Sequence, residues 1–204
     1  MINASLTLDA LSALVEAAET PVILLEGRRS IPADEYDHAR VAAEFLAKRF
    51  PGARFRSGNA KGSDEAFSQG VAAFDATRLQ LVAPYATHRL KARFNGASYA
   101  YPAALSDQQR KAMVQQTVLA SPKISSMMAQ LGKQGSVAAK ADYLLRDTMK
   151  VAGFSDEFPK VTAALFYVDI DAPMDGGTGH TIRVCQQEGV PFAFQNAWKE
   201  WGGK

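Results

Sequence analysis

The sequence has few of the residues that form disulfides and metal sites. Its 204 residues include one cysteine and three histidines. A single cysteine excludes an internal disulfide, and the histidines His38, His88 and His180 are too widely spaced to form a paired metal-ligand motif. We therefore expect no structural metal.

The sequence also lacks long apolar runs and an early basic segment. No run approaches about 18 apolar residues, so no transmembrane helix is predicted. No Lys or Arg precedes Arg28, which is unlike a secretory signal peptide. We expect a cytoplasmic protein, and we expect Cys185 to be a buried structural thiol in a helical stretch over residues 181–188.

An excess of charge of either sign is absent as well. The chain has 23 basic and 21 acidic residues, a net charge of +2. This balance does not by itself indicate a nucleic-acid or membrane surface, and a DNA-binding function would need a local basic patch. Nucleic acid and membranes are therefore not the expected partners.

The sequence does contain apolar strand-like segments that alternate with amphipathic helices. Strands are predicted over residues 22–26, 53–57, 79–85, 163–170 and 191–195. Helices are predicted over residues 8–19, between Pro32 and Pro51, over residues 64–74, and up to residue 188. This β-α-β-α-β order requires right-handed crossovers and predicts an α/β fold with a parallel sheet and helices on both faces.

The alternation breaks between about residues 93 and 160. Ser106 and Gln109 form a capping-box pattern that opens a helix to about residue 119. Ser121-Pro122 begins a shorter helix that ends by Gly132, and a third helix follows Ser136 to about residue 151. We interpret the segment as a helical insertion in a single domain over residues 1–204, where it caps the crevice.

Two Gly-rich turns each follow a strand and open a helix, a placement typical of anion-binding loops. The first reads Ser57-Gly58-Asn59-Ala60-Lys61-Gly62-Ser63-Asp64. Glycines let the backbone approach an anion, and the N-terminus of the next helix attracts it. The alternatives are a tight turn with Ser63 as N-cap and a solvated Lys61.

The second turn reads Gly176-Gly177-Thr178-Gly179-His180-Thr181. Its three glycines and two threonine hydroxyls favour an anion cradle over a flexible loop. The turn matches neither a P-loop nor the G-x-G-x-x-G dinucleotide motif.

Further candidates flank these turns. Arg28 and Arg29, after Gly27 at the end of the first strand, suit phosphate or carboxylate binding. Arg146-Asp147 is a charged pair in an apolar helix and is either a paired group near the crevice or an ordinary surface ion pair. The acidic residues of segment 169–175 do not predict Mg²⁺, because such loops are commonly acidic.

The aromatic C-terminus also has two interpretations. Trp198 and Trp201 predict a packed tail or a dimerising one rather than a platform for base stacking. A homo-oligomer therefore stays open.

Together these motifs resemble the SLOG superfamily. It groups the Rossmann-like domain of DNA-processing protein A (Smf), the Lonely Guy phosphoribohydrolases, and YspA- and YpsA-like proteins of prophages and defence islands. The resemblance covers most of residues 20–92 and 161–197, and it is nearest to the YspA-like and molybdenum-cofactor-carrier branches. It implies a Rossmann-like sheet and a nucleotide-like ligand with phosphate at residues 176–181 and ribose or base near residues 57–64.

One departure from this family bears on catalysis. Phosphoribohydrolases carry Pro-Gly-Gly-x-Gly-Thr-x-x-Glu, but this chain has His180 at the threonine and Arg183 at the catalytic glutamate. A substitute carboxylate could come from five residues, which are Glu26, Asp64, Asp147, Asp169 and Asp171. We expect a nucleotide-binding sensor or carrier with no certain cofactor; the alternatives are an N-glycosidic hydrolase and a single-stranded DNA binder.

Overall fold

The computed structural model describes residues 5–203. Six parallel strands form one sheet in the order β4-β3-β2-β1-β5-β6. Their bounds are β1 (Val22–Gly27), β2 (Arg54–Ser57), β3 (Leu79–Val82), β4 (Ser98–Ala100), β5 (Ala163–Tyr167) and β6 (Phe192–Phe194). The sheet grows from β1 to β4 in one direction and from β5 to β6 in the other, so its winding reverses between β1 and β5. The predicted α/β, Rossmann-like fold is confirmed.

Helices cover both faces of the sheet. They are α1 (Leu8–Ala17), α2 (Ala33–Arg49), α3 (Ser63–Asp75), α4 (Asp107–Ala120), α5 (Ser125–Met128), α6 (Ser136–Ala152), α7 (Gly176–Glu188) and α8 (Gln195–Trp198). The capping box before α4 is present, because Ser106 Oγ accepts from Gln109 N at 3.3 Å and Gln109 Oε1 accepts from Ser106 N at 2.9 Å. The long helices follow the sequence prediction to within one or two residues at most ends.

Helices α1, α2, α3 and α8 pack on one face of the sheet around a core that contains Phe55, Phe67 and Trp198. Trp198 is 1% exposed and donates from Nε1 to Phe166 O at 3.0 Å. Trp201 is also buried in this core. The aromatic C-terminus is therefore a packed tail.

Helices α4 to α7 cover the other face. Helix α7 buries Ile182 and Cys185 against β1 and β5. Helix α6 buries Leu145 and Met149 in a neighbouring core with Val82 of β3. The predicted buried thiol is confirmed, and burial raises its pKa well above the ordinary value. This packing brings α6 beside the carboxyl ends of the strands.

Several local features differ from the sequence prediction. The strands predicted over residues 79–85 and 163–170 end earlier, at Val82 and Tyr167. Strand β4 lies within the segment interpreted as helical and pairs with β3 at the sheet edge, Leu81 opposite Tyr99. Three residues are too few to show a strand period, so the pattern could not reveal it. Helix α7 begins at Gly176, so the second Gly-rich turn is its first turn rather than a loop before it.

The described chain, residues 5–203, has no helix with the length and apolar character needed to cross a membrane.

Candidate functional site

A cleft of about 720 Å³ opens at the carboxyl ends of β1 and β5, where the winding of the sheet reverses. Parallel α/β sheets commonly bind ligands at this position. Its walls come from residues 26–30 at the end of β1 and directly after it, from Ala60 and Asp64, from α5 and α6, and from residues 175–178 at the start of α7. Both Gly-rich segments thus reach one cleft, which we call the central cleft.

Buried charged residues form the inner wall of the central cleft. Lys150 of α6 is 1% exposed, and its Nζ lies 2.7 Å from Glu26 Oε2 and 2.9 Å from Asp147 Oδ1. Glu26 Oε2 faces Lys150 as an ion pair without hydrogen-bond alignment, whereas Glu26 Oε1 accepts from Thr181 Oγ1 at 3.0 Å. Two carboxylates therefore flank one ammonium group at the end of β1.

Arg146 extends this wall toward the first Gly-rich segment. Its Nη1 lies 3.4 Å from Asp147 Oδ1, its Nη2 lies 3.8 Å from Asp64 Oδ2, and its Nε donates to Val82 O at 2.7 Å. Its Nη2 also donates to Gly58 O. The predicted pair Arg146-Asp147 is thus a buried group at the cleft and not a surface ion pair.

Three carboxylates and two cations in this wall would carry one net negative charge if all were ionised. Burial raises the pKa of Glu26 to about 7; the charge of Lys150 opposes the rise, and the charges of Asp147 and Asp64 add to it. A carboxyl that titrates near neutrality can both donate and accept a proton under physiological conditions. The wall therefore contains a group suited to general acid and base chemistry.

The N-terminus of α7 forms the opposite side of the central cleft. Gly176 and Gly177 are exposed, and Asp175 precedes the helix without a side-chain capping bond. Gly179 N is the first to bond back, to Asp175 O at 3.0 Å, so the preceding N–H groups have no partner within the helix. This end of α7 is open to an anion.

The positive φ at this helix N-terminus belongs to Gly176, at 62°. Gly177 has no such requirement, but a Cβ there would lie 2.9 Å from Asp147 Oδ2. At Gly179, a Cβ would lie 1.9 Å from Met174 O. Gly177 therefore keeps space between α7 and Asp147, and Gly179 allows close packing.

His180 and Thr181 bond within the protein. His180 is 3% exposed, and its ring nitrogens contact Ser121 Oγ at 3.0 Å and Thr148 Oγ1 at 3.2 Å. Burial lowers its pKa. The Thr181 hydroxyl donates to Glu26 Oε1. Neither side chain lines the central cleft, whereas Thr178 does; ligand contacts at all three residues stay predictions.

The first Gly-rich segment is filled by the protein's own carboxylate. Asp64 Oδ1 accepts from Gly27 N at 3.2 Å, and Oδ2 accepts from Ala60 N at 3.3 Å. The alternative in which Ser63 is the N-cap does not hold, because Gly62 caps α3 and the Ser63 hydroxyl donates to Arg28 O at 2.8 Å. Asp64 thus occupies one N–H group of this segment, that of Ala60, together with the N–H group of Gly27 at the end of β1.

The glycines of this segment let neighbouring groups of the protein approach its backbone closely. A Cβ on Gly62, where φ is 81°, would lie 2.4 Å from Arg29 O, and one on Gly58 would overlap the Arg146 guanidinium. Ser57 and Asn59 are buried, and neither lines the central cleft. Their binding roles stay predictions, and the packing accounts for the two glycines.

The remaining candidates lie around the mouth. Arg28 Nη1 forms a half-exposed ion pair with Asp169 Oδ2 at 3.0 Å. Arg29 places its guanidinium 5.5 Å from the centre of the Tyr143 ring. Arg183 donates to Met174 O at 3.0 Å and does not line the cleft. Of the five possible substitute carboxylates, the structure brings Glu26, Asp64 and Asp147 together.

Lys150 is the functional residue that sequence reasoning missed, together with the wall residues Lys140 and Tyr143. A signal was present, because Lys150 stands between Met149 and Val151 in an apolar helix that also contains Arg146 and Asp147. A lysine on the buried side of an amphipathic helix needs a carboxylate partner.

Comparison with known proteins gives little that bears on function. No protein-family model matches the sequence, and no curated protein is significantly similar to it. A solved structure that is similar to this chain is DNA processing protein A from Helicobacter pylori, described for its single-stranded DNA binding mode. It is 12% identical, the match covers 94% of this chain and 82% of that one, and the TM-score is 0.40. Similarity at this level carries no argument about family or activity.

Proposed function

We propose that the central cleft binds a nucleotide or a nucleotide-derived small molecule with its phosphate at the N-terminus of α7. The observation that carries this proposal is the exposed, uncapped start of α7, which opens on a cleft of about 720 Å³ at the reversal point of the sheet. Arg28, Arg29 and Lys140 add positive charge at the walls. The cleft volume suits a mononucleotide-sized ligand.

Asp147 beside Gly177 sets a condition on this proposal. Its Oδ1 is held by Lys150 and Arg146, and these two cations offset its charge. Phosphate binding at the N-terminus of α7 therefore requires that Asp147 keep its ion pairs with both Lys150 and Arg146. We further propose that the protein acts as a sensor or carrier of this ligand, in line with the resemblance of its motifs to the YspA-like and molybdenum-cofactor-carrier branches.

Calorimetric titration with adenosine monophosphate tests the binding site. We expect binding to the parent protein and loss of binding in Gly177→Val, because the branched side chain fills the space before α7. Gly52→Ala is the control, since a Cβ there meets no atom within 4 Å. A folded Gly177→Val variant that binds as the parent does would move the phosphate site elsewhere.

A second candidate function is hydrolysis of an N-glycosidic bond, and the Glu26 carboxyl favours it. Protonated Glu26 can donate a proton to a leaving base, and the neighbouring Asp147 side chain can stabilise positive charge on the sugar or accept a proton from water. These groups supply the carboxylate that the Arg183 departure removes. Lys150 positions both, because it contacts each of them.

Release of free base from adenosine monophosphate, followed by chromatography, separates the two functions. A hydrolase predicts release by the parent and a loss of about 10²-fold or more in Glu26→Gln. The control Glu44→Gln, on α2 and outside the central cleft, should keep the parental rate. A binder without hydrolysis predicts intact nucleotide after prolonged incubation in all three proteins.

The third candidate is binding of single-stranded DNA. The mouth of the cleft carries Arg28, Arg29 and Lys140, with Lys61 nearby, which is the local patch that the net charge alone does not reveal. Binding of an oligonucleotide that weakens steeply with salt would favour this candidate over a small ligand. Competition by adenosine monophosphate would place both ligands at the same cleft.

A further inference from the structure

A second cavity of about 320 Å³ adjoins the central cleft on the side of the first Gly-rich segment. We call it the side pocket. It shares Arg29, Ala60, Tyr143 and Arg146 with the central cleft, and its own wall residues include Lys61, His88 and Arg89. The shared residues make the two cavities neighbours along one groove.

The side pocket is cationic. No acidic residue lines it in the described chain. Arg89 and Arg146 have carboxylate partners outside the pocket, whereas Arg29 and Lys61 form no ion pair with a carboxylate of residues 5–203. Burial lowers the pKa of His88, and the charges of Arg146, Arg89 and Arg29 lower it further, against a bond with the Asn59 carbonyl that raises it. The positive charge in the pocket is therefore incompletely neutralised.

Backbone strain is concentrated at the same place. Asn59, with φ of 55°, and Arg89, with φ of 44°, are the non-glycine residues with positive φ within residues 5–203. They are joined directly, because Asn59 O accepts from Arg89 Nη1 at 3.4 Å and contacts His88 Nε2 at 3.3 Å. The Asn59 side chain is 2% exposed, and its Nδ2 has no hydrogen-bond partner in the described chain. Such strain persists where the surroundings hold a required geometry.

We propose that the side pocket is a second anion subsite, which takes a phosphate or carboxylate group of a small ligand. Lys61 and Arg29 supply cations without carboxylate partners, Arg89 and Arg146 supply cations held in place by their ion pairs, and Tyr143 supplies an apolar wall. Because the pocket and the central cleft share four residues, one ligand can reach both. The ligand class is then a nucleotide with two separated anionic groups; this step rests on the proposed function, whereas the pocket itself does not.

Titration of the histidines by NMR with added sulfate tests the pocket directly. Sulfate keeps its charge over the range where His88 titrates, and a bound anion should raise the pKa of His88 by about 0.5 unit or more. His38, which is exposed on α2, is the internal control. Lys61→Ala should weaken the sulfate effect on His88 about threefold, and Lys111→Ala, a matched exposed lysine on α4, should leave it unchanged.

Two outcomes of the sulfate titration would overturn the proposal that the side pocket binds an anion. One is a His88 pKa that moves no more than that of His38; the other is a Lys61→Ala variant that responds as the parent does. Gly177→Val separates this result from the proposed function, because it alters the α7 site and should leave the His88 response intact.

The affinities for nucleotides with one and with two phosphates test whether one ligand spans both sites. Adenosine 3′,5′-bisphosphate should bind the parent about tenfold more tightly than adenosine 5′-monophosphate, a gain of one charged contact. Lys61→Ala should reduce this ratio and keep the affinity for the monophosphate. Equal affinities for the two nucleotides in the parent would overturn the two-anion ligand.

Discussion

The titration of Glu26 predicts an unusual dependence of stability on pH. The pKa of Glu26 is about 7 in the folded protein, against 4.5 for the unperturbed group. The folded state therefore binds more protons than the unfolded state between these values, and its stability falls as the pH rises through this window. Each pKa unit corresponds to about 1.4 kcal/mol, so from about pH 5 to about pH 8 the Glu26 contribution to the free energy of unfolding should fall by about 2–3 kcal/mol.

Glu26→Gln isolates this contribution, because glutamine does not titrate and has nearly the same shape. Urea unfolding of both proteins, followed by tryptophan fluorescence, gives the free energy of unfolding at each pH. The parental free energy of unfolding minus the variant value should decrease by about 2–3 kcal/mol from about pH 5 to about pH 8. In the control Glu44→Gln the difference should run weakly the other way, because a hydrogen bond from Lys48 lowers the pKa of Glu44. A difference for Glu26 that does not vary with pH would refute the raised pKa.

Three further substitutions test the structure in the same urea assay. Lys150→Met should lower the free energy of unfolding by about 3–5 kcal/mol near pH 8, because it removes the cation between Glu26 and Asp147, and by less near pH 5, where Glu26 takes up a proton. Gly179→Ala should cost about 1–3 kcal/mol because the new Cβ would lie 1.9 Å from Met174 O, whereas Gly52→Ala should change stability by less than about 0.5 kcal/mol. Trp198→Ala should lower the free energy of unfolding by about 3–5 kcal/mol, since Trp198 is 1% exposed. A loss below about 1 kcal/mol in Lys150→Met, Gly179→Ala or Trp198→Ala would contradict the contacts described for that residue.

The sequence by itself determined the alternation of strands and helices. Buried parallel strands read as continuous apolar runs, and helix starts carry local signals, such as the Ser106–Gln109 capping box. These signals lie within a few residues of one another, so no tertiary information is needed. Their order also placed both Gly-rich segments at the carboxyl end of the sheet, and the structure brings both to the central cleft.

The tertiary structure alone decided what those segments and the charged residues do. Asp64 accepts from Ala60 N of the first segment and from Gly27 N of β1, and Gly58 makes room for Arg146. The sequence could not show which of the five candidate carboxylates lies in the cleft, because that depends on which of them contact Lys150 when α6 packs beside β1 and α7. A buried charge is stable only with its partner; Asp147 lies on the same helix as Lys150, but Glu26 lies far away in the chain, where local patterns carry no information.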